Sequence, residues 1–418
     1  MMPANLPTEI LDLIVQYSAI GTRTQLAAIS RNVHFISVRI LYAFIPEMSL
    51  TPTIRCLLTL STKPDLAFLV RSFSIHLSIS PYFLQAFLSL LSRALENMKY
   101  LRMLSLDVQA PITIDLLKWI SCQLTKLSLV IPPRTSYPVS QFLSSQPAIE
   151  ELLLVCRAED VSGLSPEALP LLRNLSAPLW VLPIIITSRL PRLSRLSVLG
   201  VMTEPDELIV LGMILVLSNF TESLALIISV RITANMMPIE AVSRGLCSIG
   251  LAAPFVSLLV LKKSGDCVRQ DELENMFISA LPSFPKLKGL VLTSRPPVAG
   301  AYICGPQTQP AQISSGVVSL VFKALAYFYR MLLKIPGIFF LLFSSRPSIP
   351  RAEPDQTQNQ PNLDLDALRD TSCQPRMVKA WSQIHSELEY VVFPGKMYRI
   401  RKSSQRKLDD CKFDFPRV

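Results

Sequence analysis

One spacing recurs along the chain and limits what it can fold into. An apolar residue is followed three positions later by a second, and two positions after that by a third. The triplets are Val70-Phe73-Ile75, Leu101-Leu104-Leu106, Leu124-Leu127-Leu129, Ile149-Leu152-Leu154, Leu172-Leu175-Ala177 and Leu193-Leu196-Val198. Less regular copies are Leu224 with Leu226, Phe255 with Leu258 and Val260, and Leu287 with Leu290 and Leu292. From Leu101 the steps between first positions are 23, 25, 23 and 21 residues. The last two members of a triplet alternate, so on a short strand both point to one face. Repetition at this interval predicts units that bury that face only by stacking on their neighbours.

The interval falls within the roughly 20–29 residues of leucine-rich repeats. Each strand would return by a helix or loop. Ile114 to Ile120 and Ser140 to Leu143 read as short helical or turn pieces, and Asp206 to Leu217 and Gln270 to Ala280 as full helices. Such repeats usually place Asn or Cys three residues after the last apolar position. Here Gln109, Pro132, Arg157, Trp180 and Val201 stand there, so an irregular, shallow solenoid is expected. The alternative is an ordinary α/β domain whose strands read Leu-x-Leu.

Before the repeats lie three short apolar patterns. The first is Leu6-Pro7-Thr8-Glu9-Ile10-Leu11-Asp12-Leu13-Ile14-Val15-Gln16-Tyr17. Proline suits a first helical turn, and Glu9 suits the positive end of the helix dipole. Ile10, Leu11, Ile14 and Val15 form one stripe, and Gly21 is expected to end the helix. Thr22 with Gln25 reads as a capping box for a second helix carrying Leu26 and Ile29. A third pattern runs through Val33, Ile36, Ser37, Ile40, Leu41 and Phe44. Three short helices cannot bury this much apolar surface among themselves.

That stretch resembles an F-box, as found in fungal proteins with degenerate leucine-rich repeats. The family begins Leu-Pro-x-Glu-Ile-Leu, as at Leu6 to Leu11, and continues with an apolar pair, as at Leu13 and Ile14. Ile29, Ser30 and Arg31 match its Val-Cys-Arg-like run loosely, and Leu41-Tyr42 is similar to its close. Val33 and His34 stand where many members have Trp and a basic residue. The resemblance implies docking onto the Skp adaptor and cullin core of an SCF-type ubiquitin ligase, with a target protein held on the repeats. It places Leu6, Pro7, Ile10, Leu11, Ile14, Leu26 and Ile29 at the adaptor.

Half of the 418 residues are apolar and 17% are charged, so the chain is built to bury a large core. The formal charge is +10, with the excess partly after residue 300, and no nucleic acid is expected as a partner. Eight scattered cysteines form no Cys-x-x-Cys pair, which fits reduced, mostly buried thiols in a cytoplasmic or nuclear protein. The N-terminus lacks the basic and apolar regions of a secretory signal. Ser72 to Ser92 carries no Lys, Arg, Asp or Glu. Its period changes midway, so it reads as a strand followed by a helix rather than a membrane span.

From Pro296 the repeat pattern breaks. Residues 300 to 361 read as an insertion: a loop, a basic amphipathic helix over Val317 to Lys334, and a polar proline-bearing stretch over Pro347 to Pro361. Val378 to Ser386 reads as a helix, and Leu388, Val391 and Phe393 restore the spacing on a last strand. The tail from Lys396 to Lys407 holds six basic residues and no acid.

No cofactor, metal or enzyme motif is present. Cys373 and His385 could be drawn as nucleophile and base, but nothing in the sequence places them together. The expectation is an α/β chain: a small three-helix F-box over 1–45, an irregular leucine-rich-repeat solenoid over 46–299, an insertion over 300–361, and a C-terminal repeat or cap with a basic tail over 362–418. Its role would be substrate recognition rather than catalysis. The second reading is a repeat scaffold or membrane-peripheral protein without ligase association, touching a membrane surface through 317–334.

Overall fold

The computed structural model describes residues 6–77, 84–108, 116–131, 136–186, 192–216, 223–294, 366–400 and 408–411. The expected insertion over 300–361, with its helix over 317–334, lies outside them.

Three helices open the chain: α1 (Thr8–Tyr17), α2 (Ile20–Leu26) and α3 (Arg31–Ala43). Gly21 does not end α1, and Thr22 does not cap α2; Gly21 lies inside α2 instead. The reason is Arg23. Its guanidinium donates to the carbonyls of Val15 (3.0 Å), Ser18 (2.9 Å) and Gln16 (2.7 Å). These carbonyls at the end of α1 have no partner within the helix, so it stops at Tyr17 without a glycine. The Ser30 hydroxyl accepts from the Val33 amide at 3.4 Å and caps α3. Arg39 on α3 pairs with Asp12 on α1, while Val15, Val33 and Ile36 are buried in the same unit.

The fold is mixed α/β. Its strands are β1 (Phe44–Ile45), β2 (Ser72–Leu77), β3 (Met103–Val108), β4 (Lys126–Val130), β5 (Glu151–Val155), β6 (Asn174–Pro178), β7 (Arg195–Leu199), β8 (Leu224–Ile232), β9 (Val256–Gly265), β10 (Gly289–Ser294), β11 (Tyr390–Phe393), β12 (Lys396–Ile400) and β13 (Leu408–Cys411). Among the described residues they form one sheet of 13 strands in sequence order. Each of β1 to β10 pairs in parallel with the next, and β11 to β13 are antiparallel. Parallel neighbours need a crossover connection, supplied by α4 (Leu50–Thr62), α5 (Pro64–Ala67), α6 (Leu84–Asn97), α7 (Ser140–Ser144), α8 (Leu182–Ile186), α9 (Pro205–Val216), α10 (Ile239–Ala252), α11 (Gln270–Ala280) and α12 (Gln374–Ile384), and by shorter turns.

The apolar spacing sets the register. Phe73, Leu104, Leu127, Leu152, Leu175, Leu196, Leu226, Leu259, Leu290 and Val391 are direct partners from strand to strand. All are buried in one continuous core with the inner sides of the helices. The copy expected at Phe255, Leu258 and Val260 is displaced by one residue. Val256, Leu259 and Leu261 are the buried set, and the pairing shifts between Leu224 and Ala225 so that Ser257 is passed over. Four consecutive apolar residues, Leu258 to Leu261, carry no alternation from which the face could be chosen.

Among the described residues no asparagine ladder runs along the turns. Individual polar side chains satisfy the backbone there. Buried Gln146 accepts from the Leu124 amide at 2.9 Å and donates to the Cys122 carbonyl at 3.1 Å. Asp160 accepts from the Tyr137 amide and the Ser136 hydroxyl, each at 2.9 Å. Trp180 donates to the Cys156 carbonyl at 3.0 Å.

The chain does not end on the strand holding Val391 and Phe393. Pro394 and Gly395 (φ +81°) make a two-residue turn into β12, a conformation glycine adopts freely. The first five residues of the expected basic tail, Lys396–Ile400, are therefore sheet. Among the described residues no helix is long and apolar enough to cross a membrane. The uncharged stretch from Ser72 divides into β2 and the start of α6.

Candidate functional site

Two surfaces are shaped for contact. The first is the outer side of α1. Positions separated by three, four and seven residues share a helical face. Ile10, Leu13, Ile14 and Tyr17 follow that spacing and are 43%, 48%, 45% and 87% exposed, and Leu6, just before the helix, is 55% exposed. Val15 points the other way, 1% exposed against α3, with Leu11 partly buried one turn before it. The stripe expected from sequence thus divides: Ile10 and Ile14 face outward, Leu11 and Val15 inward.

Of the residues expected at an adaptor, Leu6, Pro7, Ile10, Ile14 and Ile29 are exposed and Leu11 and Leu26 are half-buried. Leu13 and Tyr17 complete the outer stripe although the expected interface omits them; their distance from Ile10 was the available signal. A row of exposed aliphatic and aromatic side chains on one helix costs solubility and offers a ready contact for an apolar groove.

The second surface is the face of the sheet opposite the core. Side chains alternate along each strand, so Met103, Ser105 and Asp107 face away from Leu104 and Leu106. Here the strands align Ser74, Ser105 and Ser128, then Leu153, then Ser176 and Ser197. The row continues as Ile227, Val260, Val291 and Val392. The first part is hydroxyl-lined and the second apolar. A parallel row starts Ser72, Met103, Lys126, Glu151, Asn174, Arg195. An open groove of about 330 Å³ lies over the hydroxyl-lined part, with Lys126, Glu151, Asn174 and Arg195 along it. The Lys126 ammonium is 2.9 Å from Glu151, and His76 Nδ1 is 2.7 Å from the Asp107 carboxylate.

The Cys373–His385 pair is not brought together. The two residues flank opposite ends of α12, roughly 18 Å apart at 1.5 Å per residue. Cys373 Sγ lies 3.2 Å from the Asp370 carbonyl, and His385 Nε2 is 2.7 Å from the buried Phe284 carbonyl. Both are placed to tie down backbone. Among the described residues no group of three His, Cys, Asp or Glu side chains could hold a metal ion.

A scan against protein-family models finds no match, and a search of curated proteins finds none.

Proposed function

We propose that the chain is the substrate-recognition subunit of an SCF-type E3 ubiquitin ligase. In this reading residues 1–45 are an F-box that docks a Skp-type adaptor, and the stacked strands are a leucine-rich-repeat-like solenoid that holds a target protein. The chain positions the target, and ubiquitin transfer is the work of its partners in the cytoplasm or nucleus.

The observation that carries the reading is the outer face of α1. Leu6, Ile10, Leu13, Ile14 and Tyr17 stay exposed together, and they lie on the segment with the Leu-Pro-x-Glu-Ile-Leu match. Burying such aliphatic anchors at an interface centre contributes on the order of 2 kcal/mol or more for each hot spot. The sheet face supports the second half, since it is a broad half-exposed surface whose side chains can vary without disturbing the buried row.

The test is a pull-down of purified full chain with purified Skp-type adaptor. Ile10→Asp with Ile14→Asp places two charges on the outer stripe and should abolish binding at micromolar concentration while leaving the thermal transition unchanged. If the wild-type chain fails to bind, the ligase reading falls and a repeat scaffold without ligase association takes its place.

A further inference from the structure

We infer that the free face of β2 to β7 is the docking site for an extended, acidic segment of the target, whose carboxylates meet basic side chains along the groove. This rests on reading the chain as a target receptor, and it names the chemistry of the target.

Serine is a poor strand former, and its hydroxyl wants a partner. Ser74, Ser105, Ser128, Ser176 and Ser197 nevertheless line one face, and none of these hydroxyls bonds to another described residue. Small side chains leave the groove open down to the sheet. Neighbouring strands lie about 4.8 Å apart, so the row from β2 to β7 is roughly 24 Å long, the span of about seven extended residues. The hydroxyls can donate to carboxylates or peptide carbonyls, or accept from amides, along that length.

The charge on this side is mostly basic. Lys126, Glu151 and Arg195 line the groove, Arg71, Arg102, Glu150 and Arg173 stand at the strand entrances, and Asp107, further along the same face, is engaged with His76. Lys126 neutralises Glu151, and Arg71 is engaged over the Tyr100 ring. Arg102, Arg173 and Arg195 have no ion pair among the described residues, and neither has Glu150, so the balance left over for a ligand is positive. Arg102 and Arg173 precede β3 and β6, three strand spacings or roughly 14 Å apart. A single phosphate cannot bridge them, whereas carboxylates spread along an extended chain can meet each in turn. Beyond β7 the same row turns to Ile227, Val260 and Val291, so the acidic register ends there.

The experiment is fluorescence anisotropy on the full chain with labelled degenerate peptide pools about seven residues long, enriched in Glu, Gln, Lys or phosphoserine. The Glu pool should bind about tenfold or more tighter than the Gln and Lys pools and weaken as salt is raised. Ser128→Tyr, which fills the groove from a side chain that does not enter the core, and Arg195→Glu should each lose about tenfold. Val260→Tyr should change nothing. Equal binding of Glu and Gln pools, or unchanged binding by both groove variants, overturns the inference. A phosphoserine pool that binds better than the Glu pool also overturns it. The adaptor pull-down is run in parallel: its failure with peptide binding intact removes the ligase reading alone.

Discussion

The ammonium of Lys263 lies 2.9 Å from the carboxylate of Asp366, with the two side chains 4% and 10% exposed. Lys263 is on β9, and Asp366 is where the described chain resumes after β10. The same carboxylate accepts from the Ser294 hydroxyl at 3.0 Å, and the next amide, of Ala367, donates to the Val268 carbonyl at 3.0 Å. The returning chain is thus fastened to β9 and β10 before it enters α12. Trp381 on α12 then packs on Phe277, with ring centroids 5.0 Å apart, and stacks on Phe393 at 6.0 Å. This lets β11 join the sheet beside β10.

Removing one partner of this pair leaves the other charge buried. Asp366→Ala should cost about 3–5 kcal/mol, and Lys263→Met with Asp366→Leu should recover most of it. Urea denaturation of the single and double variants measures both.

The alternation of faces gives a second expectation. Leu129→Ala and Leu154→Ala remove fully buried side chains from adjacent strands and should each cost about 2–5 kcal/mol. Leu153 sits between Leu152 and Leu154 on the half-exposed face, so Leu153→Ala should cost less than about 1 kcal/mol. Similar losses at Leu153 and Leu154 would contradict the sheet orientation.

Two helical glycines should respond in opposite senses. A Cβ on Gly250 in α10 would come within 2.7 Å of the Ser283 Cβ and carbonyl oxygen. Gly250→Ala should therefore destabilise by about 1–3 kcal/mol, although alanine is the better helix former by about 1 kcal/mol. Gly21 in α2 has nothing within 4 Å. Gly21→Ala should stabilise by roughly 0.4–1 kcal/mol. Thermal melts compare them.

Burial pushes the Cys156 thiol up to about 12, helped by Asp160 and Glu159, and pushes Cys56 up to about 11. Cys267 is exposed. Maleimide at pH 7.5 should label Cys267 in the native chain and spare Cys56 and Cys156 until denaturant is added. The folded chain holds these protons more tightly than the unfolded one. The stability they contribute is complete below pH 9.0, the ordinary thiol value, and is lost as pH rises toward 11 to 12. Denaturation midpoints should fall across that window, and less steeply in Cys156→Ala.

Much of the sheet was legible because period and burial coincide in it. Wherever polar residues separate Leu from Leu, as in Leu127-Ser128-Leu129, one reading of the face survives. At Leu258 to Leu261 every residue is apolar, and the register waited on the shift at Leu224 and Ala225. The hydroxyl row was invisible for another reason. Ser74, Ser105, Ser128, Ser176 and Ser197 are far apart in the chain, and only strand pairing makes them neighbours.

Sequence alone determined the mixed α/β class and, outside β9, which side chains form the buried row, since both follow from local alternation and the interval between copies. It also indicated that the three N-terminal helices carry more apolar surface than they can bury among themselves. Tertiary structure decided which of the α1 side chains turn inward: α1 lies against α3, with Asp12 paired to Arg39, so that Val15 is buried and Ile14 is left in solvent. It also decided that Lys263 is an interior residue, for a charge is buried only where a partner arrives, and Asp366 arrives from 103 residues further along the chain.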